Sequence, residues 1–254
     1  MSLPLICVTL TGCTVDEMVK DAARATAVGA DIVEVRLDKL WVVEQEIDAT
    51  EKVKSDSDDN RKSVYTPPEF LSQPMDSVDL ESSLISFRTG IELPVILTCR
   101  PERQGGHFPG SEKERIDVLT KAINSGVSWI DLETDIESKE RKKLVKLAGD
   151  STKIISSNHY DQSPGSSDEI IEEIDEISDS GNIIKIVFNT GGKKDALKLF
   201  DVAWRTRESK DKLSIMGIGA GGDWTRIHAP LLNQSMVYTT MENGWYLAQQ
   251  GRIN

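Results

Sequence analysis

The sequence predicts a (β/α)8 barrel, a closed parallel sheet of the α/β class. Three observations predict it. Eight strand-like runs alternate with helical patterns at about 30-residue spacing, the signature of parallel βα units. Eight such units in 254 residues favour a closed barrel over an open doubly wound sheet. No glycine-rich dinucleotide fingerprint follows the first strand, which weighs against the open sheet. Residues 1–254 read as one barrel domain with a polar surface insertion at about 50–80.

Each element has a local cause. Residues 5–10 form the first strand, and 15–28 a helix with Asp16 and Glu17 where the helix dipole favours negative charge. Gly29 stops that helix. In the second strand, 31–37, alternation places Ile32, Glu34 and Arg36 on one face, which in a closed barrel points inward. The stretch 50–77 is charged and proline-marked, so it reads as a surface excursion. A short helix over 82–89 precedes the third strand, 94–99. Ser111, followed three residues later by Glu114, is a capping box opening a helix over 111–124, and Gly126 closes it. The fourth strand is 129–133, its helix 137–148, and the fifth strand 153–157 runs on to His159. A helix over 167–178, the sixth strand 183–188 and a helix over 193–208 follow. The seventh strand is 213–218, then a helix over 224–232 and the eighth strand, 236–240. Residues 241–254 are too few for a full closing helix, so another element or a partner subunit is expected to cover that part of the barrel.

Composition bounds the partners. Hydrophobic content of 38% and charged content of 28% fit a soluble, core-forming protein. No apolar run is long enough to span a membrane, and no signal peptide is evident. Cys7, Cys13 and Cys99 lack metal-ligand spacing and read as reduced thiols of a cytoplasmic protein. A net charge of −12 argues against nucleic acid. A small anionic substrate would have to be drawn in locally, by a few arginines acting against that overall field.

In such barrels the chemistry gathers at the C-terminal ends of the strands. Those positions hold Glu34, Arg36, Arg100, Glu133, His159, Lys185 and Arg226. Lys185 lies between β-branched residues, where an apolar wall would strip the ammonium of solvent and free a nucleophilic amine. With His159 as proton carrier, this is the equipment of Schiff-base chemistry on a carbonyl substrate. Glu133 reads as the partner of a basic strand residue, His107 as a solvated loop residue, and His228 as a surface or packing residue. The glycines of 217–222 are either a phosphate cradle or an ordinary flexible loop.

Six segments together resemble type I 3-dehydroquinate dehydratase, the Schiff-base enzyme of the shikimate pathway. They are Glu34-Val35-Arg36-Leu37-Asp38, Thr98-Cys99-Arg100-Pro101 with Gly105-Gly106, Asp131-Leu132-Glu133, Ser156-Ser157-Asn158-His159, Lys185-Ile186 and Thr225-Arg226. The resemblance implies that Lys185 forms an imine with the ring ketone of 3-dehydroquinate. It implies that His159 removes the C2 proton and protonates the departing C1 hydroxyl, and that Arg226 holds the carboxylate. Glu34, Arg36 and Arg100 would contact ring hydroxyls or position other groups. No metal or organic cofactor is implied, and a homodimer is expected.

Two departures stand out. The family's glutamate before the paired glycines is Gln104 here, which implies a lower His159 pKa and slower turnover. The family's lid run aligns with 248–252, so its serine is Ala248 and its glutamine Arg252, a further candidate contact to the anion. Two other readings stay open. One is a class I aldolase acting on a sugar phosphate held by the glycine loop. The other is a weakened barrel that binds quinate-like ligands without turnover.

Overall fold

The structure, a computed structural model, describes residues 3–45, 68–242, 247 and 250–254. Strands β1 (Leu5–Leu10), β2 (Ile32–Arg36), β5 (Val95–Thr98), β6 (Trp129–Glu133), β7 (Lys153–Tyr160), β8 (Ile183–Thr190), β9 (Leu213–Gly219) and β10 (Met236–Thr240) form the barrel. They pair in parallel, in the order β10-β1-β2-β5-β6-β7-β8-β9. Helices α1 (Val15–Ala27), α2 (Leu80–Gly90), α3 (Glu112–Asn124), α4 (Ser138–Ala148), α5 (Ser167–Glu176), α6 (Lys193–Arg205) and the short α7 (Trp224–Ile227) lie between the strands. The capping box of α3 forms as the sequence predicts, with Ser111 and Glu114 answering each other's backbone amides. Gly29 and Gly126 end their helices at positive φ, 91° and 77°.

Alternation sorts the side chains into two cores. Outward-facing Val8, Val33, Val35, Leu97, Ile130 and Leu132 pack under the helices. Inward-facing Cys7, Ile32, Ile96, Trp129, Ile155, Ile183 and Met236 plug the barrel floor. Above that apolar plug the inward positions turn polar, and the functional residues start there.

Three expectations need correction. The helix over 224–232 stops after four residues, because Pro230 has no amide to donate and its ring obstructs the preceding turn. β8 runs two residues past the expected 188, to Thr190, because Asn189 and Thr190 pair with Ile218 and Gly219, and beside it β7 runs on through His159 to Tyr160. The insertion lies outside the described residues over 50–67. Its described remainder is ordered: β4 (Phe70–Ser72) pairs antiparallel with β3 (Val42–Glu44), using apolar residues at both edges. The lid residue Ala248 also lies outside the described residues.

The seam between β9 and β10 carries no strand ladder among the described residues. Three bonds bridge it. Ser235 N–H donates to the Leu213 carbonyl at 2.8 Å, and Ser214 Oγ to the Met236 carbonyl at 2.8 Å. The amide of Ile215 donates to Gln234 Oε1 at 2.7 Å, so a buried side chain does what a strand backbone does elsewhere. Gln234→Met keeps the volume but leaves that buried amide unpaired. It should lower stability by about 1–3 kcal/mol in urea unfolding, and an unchanged midpoint would show that the seam does not depend on it.

Candidate active site

One cavity of about 570 Å³ opens at the C-terminal end of the barrel. Glu34, Arg36, Arg100, Gln104, His159, Lys185, Arg226 and Arg252 all line it, so the fold brings every predicted site residue together. The lining carries Arg36, Lys39, Arg100, Lys185, Arg226 and Arg252 against Glu34, Asp161 and Glu242. Asp38, Asp131 and Glu133 lie just behind the lining and pair with Arg36, Arg100 and Lys185. The cations of the floor are therefore balanced, and those nearer the mouth, Arg226 and Arg252, are the ones open to an anion.

Lys185 sits on the inner face of β8 and is buried. Its Nζ lies 3.3 Å from Glu34 Oε1, 3.6 Å from Asp131 Oδ2 and 3.8 Å from the centre of the Tyr238 ring. The expected apolar wall is therefore corrected. β-Branched neighbours along a strand point outward, and the inner face is set by the strands opposite. Glu34 also accepts from Thr9 Oγ1 at 2.7 Å and Thr98 Oγ1 at 3.0 Å. Burial pushes its carboxyl up, but Lys185, Arg36, Arg100 and the Thr9 bond outweigh that and hold it down at about 2.

Arg100 is committed to protein partners. Its Nη2 donates to Asp131 at 2.7 Å, and its Nη1 to Glu133 at 2.7 Å and Ser157 at 2.8 Å. Arg100, at the end of β5, is thus the basic strand partner expected of Glu133, and Arg115 of helix α3 holds the same carboxylate from its other side at 2.7 Å. Arg36 forks onto buried Asp38 at 2.9 and 2.7 Å. Asp38 in turn accepts the amides of Arg100 at 3.2 Å and His107 at 3.0 Å. That last bond requires a tight loop. A Cβ on Gly106 would sit 2.0 Å from the Arg100 carbonyl, so only glycine lets the loop pass there.

His159 stands near the end of β7, its Nδ1 buried and without a hydrogen-bond partner among the described residues. Burial lowers its pKa well below 6.5, and the positive charges of Arg100, Lys185 and Arg36 push the same way. Gln104 does not hold the imidazole. Its Oε1 accepts the backbone amide of His159 at 3.1 Å, while its side chain also bonds Asp135. The expected side-chain contact is replaced because β7 continues through His159 and presents that amide to the loop.

Arg226 is only 9% exposed. Its Nη1 donates to the carbonyls of Gly217 at 2.6 Å, Gly222 at 2.9 Å and Gly251. Its Nε has no hydrogen-bond partner among the described residues, and it makes no ion pair there. Burial, with Arg252 nearby, lowers it to about 10. A buried guanidinium without a counter-ion is a seat for an anion. The glycine loop spends much of its hydrogen bonding within the protein, which counts against a phosphate cradle. The amides of Gly217, Gly219 and Gly222 donate to the carbonyls of Gly222, Gln250 and Gly219, and the loop's carbonyls face Arg226.

His107 lines the cavity with its ring 4.9 Å from Phe70, so it is less solvated than expected. His228 is exposed and packs against Phe200, away from the site. Asp38, Asp131 and Tyr238 were missed as site residues. For Asp131 a signal existed: in Trp129-Ile130-Asp131-Leu132-Glu133 the strand period puts it on the same face as Glu133. No group of residues with metal-binding geometry occurs among the described residues.

The family model for type I 3-dehydroquinase matches residues 6–254. The 3-dehydroquinate dehydratase of Methanopyrus kandleri is 26% identical over 238 residues, covering 93% of this chain and 90% of that one. The 3-dehydroquinate dehydratase of Methanosarcina barkeri is 27% identical, covering 87% of this chain and 79% of that one. Among solved structures, 3-dehydroquinate dehydratase from Geobacillus kaustophilus superposes with a TM-score of 0.76 at 18% identity. That match covers 99% of this chain and 87% of that one, and it supports the barrel fold.

Proposed function

This chain belongs to the type I 3-dehydroquinase family, and from that premise we propose how it acts as a 3-dehydroquinate dehydratase, a hydro-lyase of the shikimate pathway, through an imine on Lys185. The observation that carries the reading is a buried lysine and a partnerless imidazole sharing a cavity with an uncompensated arginine. Arg226 takes the substrate carboxylate and Arg252 is a further donor at the rim. Arg36 meets ring hydroxyls, while Arg100 and Glu34 act by positioning, because their bonds are already committed inside the barrel.

The chemistry follows from these placements. Lys185 gives up a proton to solvent and attacks the ring ketone, while Glu34 and Asp131, at 3.3 and 3.6 Å, stay ionised and hold the amine in place. The carbinolamine loses water and becomes a protonated imine, which draws the electron pair left when the C2–H bond breaks. His159, neutral because of its surroundings, accepts that C2 proton. The enamine then expels the C1 hydroxyl, which leaves as water with the proton His159 carries. A water molecule hydrolyses the product imine, releasing 3-dehydroshikimate and the free amine. None of these steps calls on a metal or organic cofactor. The aldolase reading falls with the family match, and three of the glycine-loop amides it would use are already bonded within the protein.

The same proposal takes residues 1–254 as one domain and the protein as a cytoplasmic homodimer. The free cysteines support a reducing compartment, and among the described residues no helix is long and apolar enough to cross a membrane. Exposed Leu197, Trp204, Ile227 and Leu231 on one side of the barrel support self-association. A solution mass of twice 28.1 kDa is expected, and a mass of 28.1 kDa would contradict the dimer.

Two experiments test the chemistry. Borohydride reduction with 3-dehydroquinate should leave a ligand adduct on the Lys185 peptide, and Lys185→Met should abolish it. His159→Ala should still be trapped while turnover falls by about 10²–10⁴-fold. Saturable quinate binding with no adduct and no product would instead favour a binding barrel. The acid limb of kcat/KM should lie below pH 6.5, because burial and three cations depress His159. Gln104→Glu places an anion beside the His159 backbone, favours imidazolium and should move that limb upward. An unmoved limb would show that position 104 does not tune the base.

A further inference from the structure

Glu242 and Arg252 face each other at the rim of the cavity, and no catalytic step uses Glu242. The guanidinium forks onto it, Nη1 to Oε2 at 3.3 Å and Nη2 to Oε1 at 3.3 Å, with Gln250 Oε1 at 3.2 Å from Nη1. These contacts are long for charged partners. The other guanidinium–carboxylate pairs of the site close to 2.7 Å, Arg36 on Asp38 and Arg100 on Asp131 and Glu133. The pair is also wet: its side chains are 30% and 29% exposed, against 3% and 0% for Arg100 and Asp131. A long, hydrated ion pair is weak and easily exchanged.

The pair is not needed to hold the C-terminal segment in place. Backbone bonds do that: Thr240 N–H to the Ile253 carbonyl at 3.0 Å, Gly219 N–H to Gln250 at 2.8 Å and Arg252 N–H to Leu247 at 2.8 Å. Glu242 itself is fixed by its amide on Thr240 Oγ1 at 3.3 Å. Lys39, another lining cation, lies within electrostatic reach of Glu242 and offers it a second partner. Arg226 meanwhile makes no ion pair among the described residues: Asp223 acts on it only from beyond ion-pair distance, and Arg252 is close enough to repel it. An entering carboxylate between the two guanidiniums would neutralise both, a placement closed to Glu242 while it is tied to its own backbone.

We propose that Glu242 is an internal counter-anion that competes with the substrate carboxylate for Arg252, and so sets the affinity of the cavity for hydroxy-acid anions. This rests on the reading of the cavity as the 3-dehydroquinate site. It makes Glu242 a specificity-determining residue that weakens binding. A weak or small anion does not displace it, whereas a carboxylate also gripped by Arg226 does.

The test is calorimetric titration of quinate, a carboxylate the enzyme cannot dehydrate through an imine, into the full-length protein and four variants. Glu242→Gln and Glu242→Ser should each bind quinate about two- to fivefold more tightly than the unaltered protein. Arg252→Gln should bind it more weakly, and the Glu242→Gln/Arg252→Gln double variant should match Arg252→Gln, since Glu242 acts through Arg252. Weakened or unchanged binding in both Glu242 variants would overturn the proposal, and so would quinate binding to none of the proteins. Turnover of 3-dehydroquinate by the unaltered protein is measured in parallel. Its absence would overturn the functional reading while the order of quinate affinities still decides the role of Glu242.

Discussion

Charge buried inside a closed barrel must be balanced inside it, and the rest of this site depends on how that is done. Lys185, Arg100 and Arg36 enter the barrel with Glu34, Asp131, Glu133 and Asp38, and each carboxylate contacts at least one of the cations. Removing one partner of such a pair typically costs about 3–5 kcal/mol, because the other charge is left buried alone. The network therefore acts as a frame. Arg100 ties β5 to β6 and β7, Arg115 ties α3 to β6, and Asp38 ties the loop after β5 to the end of β2. The lysine is aimed by this frame and not by an apolar wall.

The same frame sets the state of the base. The cations that the carboxylates neutralise locally still act on His159, whose imidazole faces no counter-anion among the described residues and is kept neutral. A neutral imidazole beside an iminium-forming lysine is the combination that proton abstraction requires. Gln104 fits this arrangement, because a neutral side chain on the His159 amide does not counteract the cations.

At the mouth the balance is left open. Arg226 is buried on glycine carbonyls, with Gly251 at φ 64° packed against Gly219 and Gly222 to make that close approach possible. Compensation there is left to the ligand, and the loosely held Glu242–Arg252 pair grades how strongly. An acidic protein can thus select an anion by leaving one buried cation unpaired.

Much of the fold was legible from local pattern: the strand order, the α3 capping box and the inward face of Glu34 and Arg36 follow from period and turn chemistry. Lys185, His159 and Arg226 were legible as chemistry because their residue types and strand-end positions restrict what they can do. The helix over 224–232 could have been cut at Pro230 from the sequence alone. Other features were not readable along the chain. The carboxylate neighbours of Lys185 come from β2 and β6, residues 151 and 54 positions away, and only closure of the barrel brings them to 3.3 and 3.6 Å. The seam bond of Gln234, the turn of Gln104 to a backbone amide and the isolation of Arg226 likewise depend on what faces them across the barrel. The sequence by itself determined which elements form and which side chains turn inward, because both follow from local sterics and periodicity. The tertiary structure alone decided which charges compensate one another, because that depends on distances set by the strands' register and closure.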